Sequence, residues 1–216
     1  YPADDLWQHR DELVSTAGEC QLPKAGVVKL QSFVADLMDK SAMEAQEDWL
    51  SLFDRGRSMS LLLFEHIHGE SRDRGQAMVD LMETYSKNGF EIATRELPDY
   101  LPLVLEYLSQ RPMEEVIDWL KHTGPILELL AARASERQSP YALLFEILIE
   151  IGHGEVDLSV IRRKVATEAR DDTPEIMDQV WEEEAVRFGN EAPSENCLPN
   201  QRLPSGVTMT DKQVTL

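Results

Sequence analysis

Cysteine, positive charge and long apolar runs are all scarce in this chain, and each shortage excludes something. Cys20 and Cys197 are its only thiols and lie far apart in sequence. Neither has a second cysteine at metal-ligand spacing, and two thiols make no disulfide framework, so a reducing, cytoplasmic setting is expected. Lys and Arg total 21 against 40 Asp and Glu, a formal net charge of -19. Nucleic-acid proteins need clustered cations to displace counterions, so no nucleic-acid partner is expected. Docking on an anionic leaflet is disfavoured for the same reason. No apolar stretch reaches the roughly 20 residues of a bilayer-spanning helix, so direct membrane insertion is not expected either. The longest, near Leu61–Phe64 and Ala142–Ile151, are interrupted or too short. There is no visible secretory signal, and no Walker loop, dinucleotide fingerprint or nucleophile elbow. The chain opens at Tyr1-Pro2 without a methionine, which fits removal of residues upstream.

Apolar residues at helical spacing dominate what remains. Leu6, Leu13 and Val14 suggest a first amphipathic segment ending near Gly18. Val27, Val28, Leu30, Phe33, Val34, Leu37 and Met38 form a second stripe at spacings of three and four. A third segment starts near Met43 and carries Trp49, Leu52 and Phe53. A fourth, Leu61 to Ile67, should stop at His68-Gly69, because Gly is favoured just past a helix end. Ser71 is a cap signal for a fifth, which ends at Asn88-Gly89. Pro98 reads as the first turn of a helix through Leu108, broken by Arg111-Pro112. Further segments centre on Val116–Leu120, Ile126–Ala134, Tyr141–Ile151 and Val160–Val165, and one runs from Thr173-Pro174 to Phe188. No alternating strand pattern or internal repeat appears. From Gly189 prolines and small polar residues leave little to bury. The expected architecture is all-α: one compact multi-helix domain over residues 1–188 and a disordered tail over 189–216.

Four constellations are candidates for chemistry. His66, Glu70 and Asp73 have partial metal-ligand spacing and define an alternative function, a small metal-dependent hydrolase. Gly69 interrupts their helix, however, so hydrogen bonding at the helix end is the simpler expectation and no metal site is assigned. Arg55-Gly56-Arg57 and Arg72-Asp73-Arg74-Gly75 are basic islands in an acidic protein. Arginine forks match the oxygens of a phosphate or pterin pyrophosphate group, but such residues more often pair with nearby carboxylates and stitch helices together; a nucleotide-responsive adaptor is a second alternative function. Glu96-Leu97-Pro98-Asp99-Tyr100 lies between two predicted helices, where Asp99 can cap free N–H groups or, with Glu96 and Tyr100, line a cleft for a basic peptide. The acidic block Glu168 to Glu184 reads as a solvated face, with a cationic partner as the sharper alternative.

Several ordered segments carry a resemblance. They are Tyr1-Pro2-Ala3-Asp4-Asp5-Leu6-Trp7, Leu52 through Leu81, Glu96-Leu97-Pro98-Asp99-Tyr100-Leu101-Pro102-Leu103, Tyr141-Ala142-Leu143-Leu144-Phe145 and Ala169-Arg170-Asp171-Asp172-Thr173-Pro174. Together these resemble the NarJ-type chaperones that assist nitrate reductase assembly, within the wider group of TorD-like redox-enzyme chaperones. That group has a Tyr-x-x-Leu-Phe element, matched here by Trp49-Leu50-Ser51-Leu52-Phe53 with Trp for Tyr. It also has Glu-Pro-x-Asp-His at a hinge, matched by Glu96 to Tyr100 with the proline shifted and Tyr100 in the His position. The resemblance implies a cytoplasmic, noncatalytic chaperone with an all-helical fold and a short apolar segment preceding Tyr1. Its implied partner is the apo catalytic α subunit of respiratory nitrate reductase, held by its N-terminal peptide while the molybdenum cofactor is inserted and membrane docking is delayed. Molybdenum cofactor biosynthesis proteins are further implied partners. No cofactor is expected to be bound permanently, only a transient contact with the molybdenum cofactor. The expected peptide-binding residues are Glu96, Asp99, Tyr100 and Leu103, with Arg55 and Arg57 beside them.

Overall fold

The computed structural model describes residues 1–69, 71–92, 95–152 and 158–173, with Ile176 and Asp178. The expected Thr173–Phe188 helix lies almost wholly outside the described residues, and the expected 189–216 tail entirely so. A 3-10 turn at Asp4–Trp7 leads into α1 (Arg10–Glu19), α2 (Lys24–Asp39) and α3 (Ala42–Phe53). A second 3-10 turn (Arg57–Met59) precedes α4 (Leu63–His68) and α5 (Asp73–Lys87). Then come α6 (Leu101–Ser109), α7 (Met113–Glu136), α8 (Ala142–Ile151) and α9 (Ser159–Val165). The all-α expectation holds: among the described residues the only β pairing is an isolated antiparallel bridge between Leu62 and Tyr100.

Local chemistry sets most boundaries. Ser41 and Glu44 form a capping box at the start of α3, each side chain satisfying the other's backbone N–H. Gly69 ends α4 at φ 52 and Gly89 follows α5 at φ 81, a backbone region that favours glycine. Ser71, expected to cap α5, stands one residue before the N-cap, which is Arg72; its hydroxyl still accepts from Asp73 N–H at 3.2 Å. Two boundaries depart from expectation. Pro98 precedes α6 by a turn, and it is Pro102 that occupies the helix's first turn. The segments centred on Val116–Leu120 and Ile126–Ala134 are one continuous helix, α7, with Pro125 inside it. An internal proline costs about 3 kcal/mol through its missing N–H and its ring clash. Leu127 and Leu130 on the same helix are fully buried, and at about 1.5–3 kcal/mol each they offset that cost.

The core has two parts joined by one aromatic residue. The larger collects Leu52, Met59, Leu63, Tyr85, Val104, Leu108, Leu127, Leu130 and Phe145, with α7 packed along α8 and α9. The smaller gathers Ala17, Phe33, Val34 and Met38 from α1 and α2. Tyr141 touches both: its ring lies edge-on to Phe33 and to Phe53, with centroids 5.1 Å apart in each case. Val14 and Val28, read as stripe residues, instead face solvent. Lys29 then ties α2 to α8, with its ammonium 2.8 Å from Glu146 and 2.7 Å from Glu150.

Candidate functional site

Downstream of α3 the chain turns through Asp54–Ser60, and the side chain of Met59, fully buried, anchors that turn in the core. The next residues pair with the segment before α6. Leu101 N–H donates to Leu61 C=O at 2.8 Å and Leu63 N–H to Asp99 C=O at 3.1 Å. Asp99 Oδ2 accepts from Phe64 N–H at 2.9 Å, and Tyr85 Oη donates to Pro98 C=O at 2.8 Å. These bonds lock residues 97–101 against the start of α4.

Between the end of α3, this turn and the locked segment lies an open cleft of about 440 Å3. Trp49, Phe53, Leu61, Leu62 and Tyr100 supply its apolar surface. Trp49 and Phe53 stand one helical turn apart with ring centroids at 5.4 Å, and Tyr1 packs edge-on to Trp49 at 5.6 Å. Asp54, Glu65 and Glu96 bring negative charge to the cleft, Arg55 and Arg57 positive. Burial, and then the nearby Glu96 carboxylate, push the Tyr100 phenol above its ordinary value, so it remains a neutral hydrogen-bonding group. An apolar surface bordered by both signs of charge suits an amphipathic segment of polypeptide.

Of the six residues singled out from sequence, four meet here: Arg55, Arg57, Glu96 and Tyr100. Asp99 does not reach the cleft. It is 0% exposed and caps α4 through Phe64 rather than its own following helix; its Oδ1 has no hydrogen-bond partner among the described residues. Leu103 packs, partly buried, against the main core. Sequence reasoning missed Asp54 and Glu65 as cleft residues, and it placed Trp49 only as a motif and packing residue. The signal for Trp49 was its spacing of four from Phe53, which equally describes a core face.

A polar network lies on the other side of the same turn. Asp171 Oδ2 accepts from Ser58 N–H at 2.7 Å and Oδ1 from Ser58 Oγ–H at 2.5 Å. Arg137 reaches Asp171 Oδ1 at 3.2 Å and Asp172 Oδ2 at 3.5 Å. Arg133 holds Glu168 with two bonds, at 2.8 and 2.5 Å, and donates to Ser58 C=O at 2.6 Å. Burial opposes ionisation of Asp171, but the Ser58 bonds and Arg137 prevail and hold its carboxyl below the usual range. The Arg170 bond lowers Asp172 in the same way, against burial, with Arg137 adding to it. The reading of the acidic block as a solvated face is therefore corrected for Asp171 and Asp172, while Glu168 remains exposed beside Arg133. These carboxylates face arginines of the same chain, and Asp172 is 8% exposed. The rest of the block, from 174 on, is largely outside the described residues.

The basic islands converge in part. Arg57 and Arg74 line a hollow of about 230 Å3 with Glu65, His66 and Gly69. Arg74 lies 3.5 Å from Glu65, the stitching role expected of such residues. His66 Nε2 sits 2.8 Å from Ser60 C=O. Glu70 is outside the described residues, among which no three His, Cys, Asp or Glu side chains gather as metal ligands. No helix there is long and apolar enough to cross a membrane.

Fold and cleft together define an all-helical domain with an open amphipathic groove. Its lineage is explicit in sequence comparison: the chain belongs to the nitrate reductase delta subunit family, whose sequence profile matches residues 21–146. It is 50% identical over 189 residues to the nitrate reductase molybdenum cofactor assembly chaperone NarJ of Escherichia coli K12, covering 87% of this chain and 80% of that protein. It is 42% identical over 188 residues to the probable chaperone NarW of the same organism, covering 87% and 79%. A probable NarJ of Bacillus subtilis is 32% identical over 103 residues, 48% of this chain and 56% of that protein.

Proposed function

We propose that the chain is a noncatalytic, cytoplasmic chaperone for assembly of a nitrate reductase, and that it binds the apo catalytic α subunit through that subunit's N-terminal segment. The convergence of Arg55, Arg57, Glu96 and Tyr100 on one amphipathic cleft carries this reading. The identity with relatives named as molybdenum cofactor assembly chaperones supports the choice of client. An amphipathic segment would lay its apolar side chains on Trp49, Phe53 and Tyr100 while Glu96 and Asp54 meet its basic groups. While held, that segment is unavailable for docking at the membrane, and the α subunit remains open for cofactor insertion. Release requires the chaperone to favour the empty client over the loaded one, since equal affinity for both would shift nothing.

The test is maturation. The α subunit is produced with and without the chaperone in cells lacking any relative of it, and molybdenum is measured in the purified subunit. The reading expects cofactor-poor α subunit without the chaperone and restored metal with it. Equal molybdenum content in both preparations would refute it.

A further inference from the structure

The turn that presents Arg55 and Arg57 to the cleft is held from 113 residues away in sequence. Both oxygens of Asp171 bind Ser58, one its N–H and one its hydroxyl. Gly56 makes room for this: a β-carbon there would sit 2.6 Å from the Asp171 carboxylate, closer than a β-carbon approaches another heavy atom. The backbone at Gly56 is extended, at φ -152 and ψ 155, so close approach and not conformation explains the glycine. Arg137, which caps the C-terminal end of α7, completes the clasp at 3.2 Å. The carboxylate thus bonds the residue after Arg57 and lies close against the one before it, within three residues of Arg55.

We propose that Asp171 is a positioning residue for the cationic side of the cleft, and that this side receives an acidic group of the bound segment while Glu96 receives a basic one. The inference rests on the peptide-binding reading and deepens it: the occupant is a segment that carries both signs of charge beside an apolar face of side chains. Arg55 is exposed, with no ion pair among the described residues. A guanidinium so placed offers a planar fork that matches a carboxylate. Asp171 touches no ligand; it acts through the turn.

Two measurements test this separately. Hydrogen exchange at the Ser58 amide should become roughly tenfold faster in Asp171→Asn, as expected for loss of a charge-assisted bond. Titration with the α-subunit N-terminal peptide should show Asp171→Asn and Arg55→Ala each weakening affinity about tenfold, with the double variant no weaker than either, because both remove one interaction. Glu96→Ala should instead add to Asp171→Asn. Replacing the peptide's acidic residues by their amides should weaken binding to the wild type and leave Arg55→Ala unaffected. Should Asp171→Asn fold poorly, Gly56→Ala displaces the same carboxylate with no change of charge. Unchanged Ser58 exchange overturns the positioning role, and additive losses at Asp171 and Arg55 overturn it as well. If the wild type fails to bind the peptide, the peptide-binding reading falls and the recognition half of the inference falls with it, while Ser58 exchange still decides the positioning half.

Discussion

Asp99→Ala separates stability from binding. Asp99 is 0% exposed, and its Oδ2 is the acceptor for Phe64 N–H at 2.9 Å, in the first turn of a helix only six residues long. Loss of a capping acceptor costs about 1 kcal/mol, and stranding a partly buried N–H costs about 1–3 kcal/mol. The two overlap, so the expected loss is about 2 kcal/mol. For a chain of this size, each kcal/mol lowers the melting midpoint by roughly 2–4 °C, which gives a fall of about 4–8 °C. Glu96 lies at the exposed rim, and its replacement by Ala should stay within about 0.5 kcal/mol of the wild type. Thermal unfolding followed by circular dichroism reads both variants, and peptide titration well below either midpoint then compares the folded proteins. Asp99→Ala should melt early yet bind once folded, whereas Glu96→Ala should melt normally and bind weakly. A midpoint for Asp99→Ala within about one degree of the wild type would refute the capping argument.

Three further outcomes follow from the geometry. The folded carboxyls of Glu168, Asp171 and Asp172 are held below their ordinary values of 4.5, 3.8 and 3.8. Their contribution is therefore complete at neutral pH and is lost as pH falls below about 4, through the folded values. Urea midpoints measured between about pH 7 and pH 3 should fall less steeply in Asp172→Asn, and parallel slopes would contradict this. Lys29→Ala leaves Glu146 and Glu150, 15% and 25% exposed, without their ammonium. It should cost about 2 kcal/mol by chemical denaturation, less than the 3–5 kcal/mol of a fully buried pair. Burial pushes the Tyr141 phenol up to about 12 and Tyr85 higher still. Absorbance titration of the native protein to about pH 11 should leave both un-ionised until unfolding releases them, and early ionisation of either would contradict the packing.

Helices built on local pattern were legible in the residues. The spacing of Phe33, Val34, Leu37 and Met38 sufficed for α2, and the glycines at 69 and 89 marked their helix ends. What escaped depends on contacts remote in sequence. Gly124-Pro125 looks like a break until burial of Leu127 and Leu130 is weighed against it. Asp99 looks like the cap of the helix that follows it; the α4 amide it serves comes 35 residues earlier. The carboxylates of Asp171 and Asp172 look like a solvated face because Arg137, which pairs with both, lies at the end of α7, remote in sequence. Nothing local marks Asp171 as the partner of Ser58. The residues between two helices suggested a cleft at Glu96, Asp99 and Tyr100, and resemblance added Leu103, Arg55 and Arg57, but neither could separate Asp99 and Leu103 from the rest.

The central claim is that an acidic chaperone holds a client segment in the cleft bordered by Glu96 and Arg55. Calorimetric titration with a peptide covering the N-terminal segment of the nitrate reductase α subunit, at low and high salt, tests it most directly. The account predicts saturable binding that weakens as salt screens the rim charges, and a weaker response in Glu96→Ala at both salts. Wild-type binding indifferent to both salt and Glu96→Ala, or no binding at either salt, would contradict it.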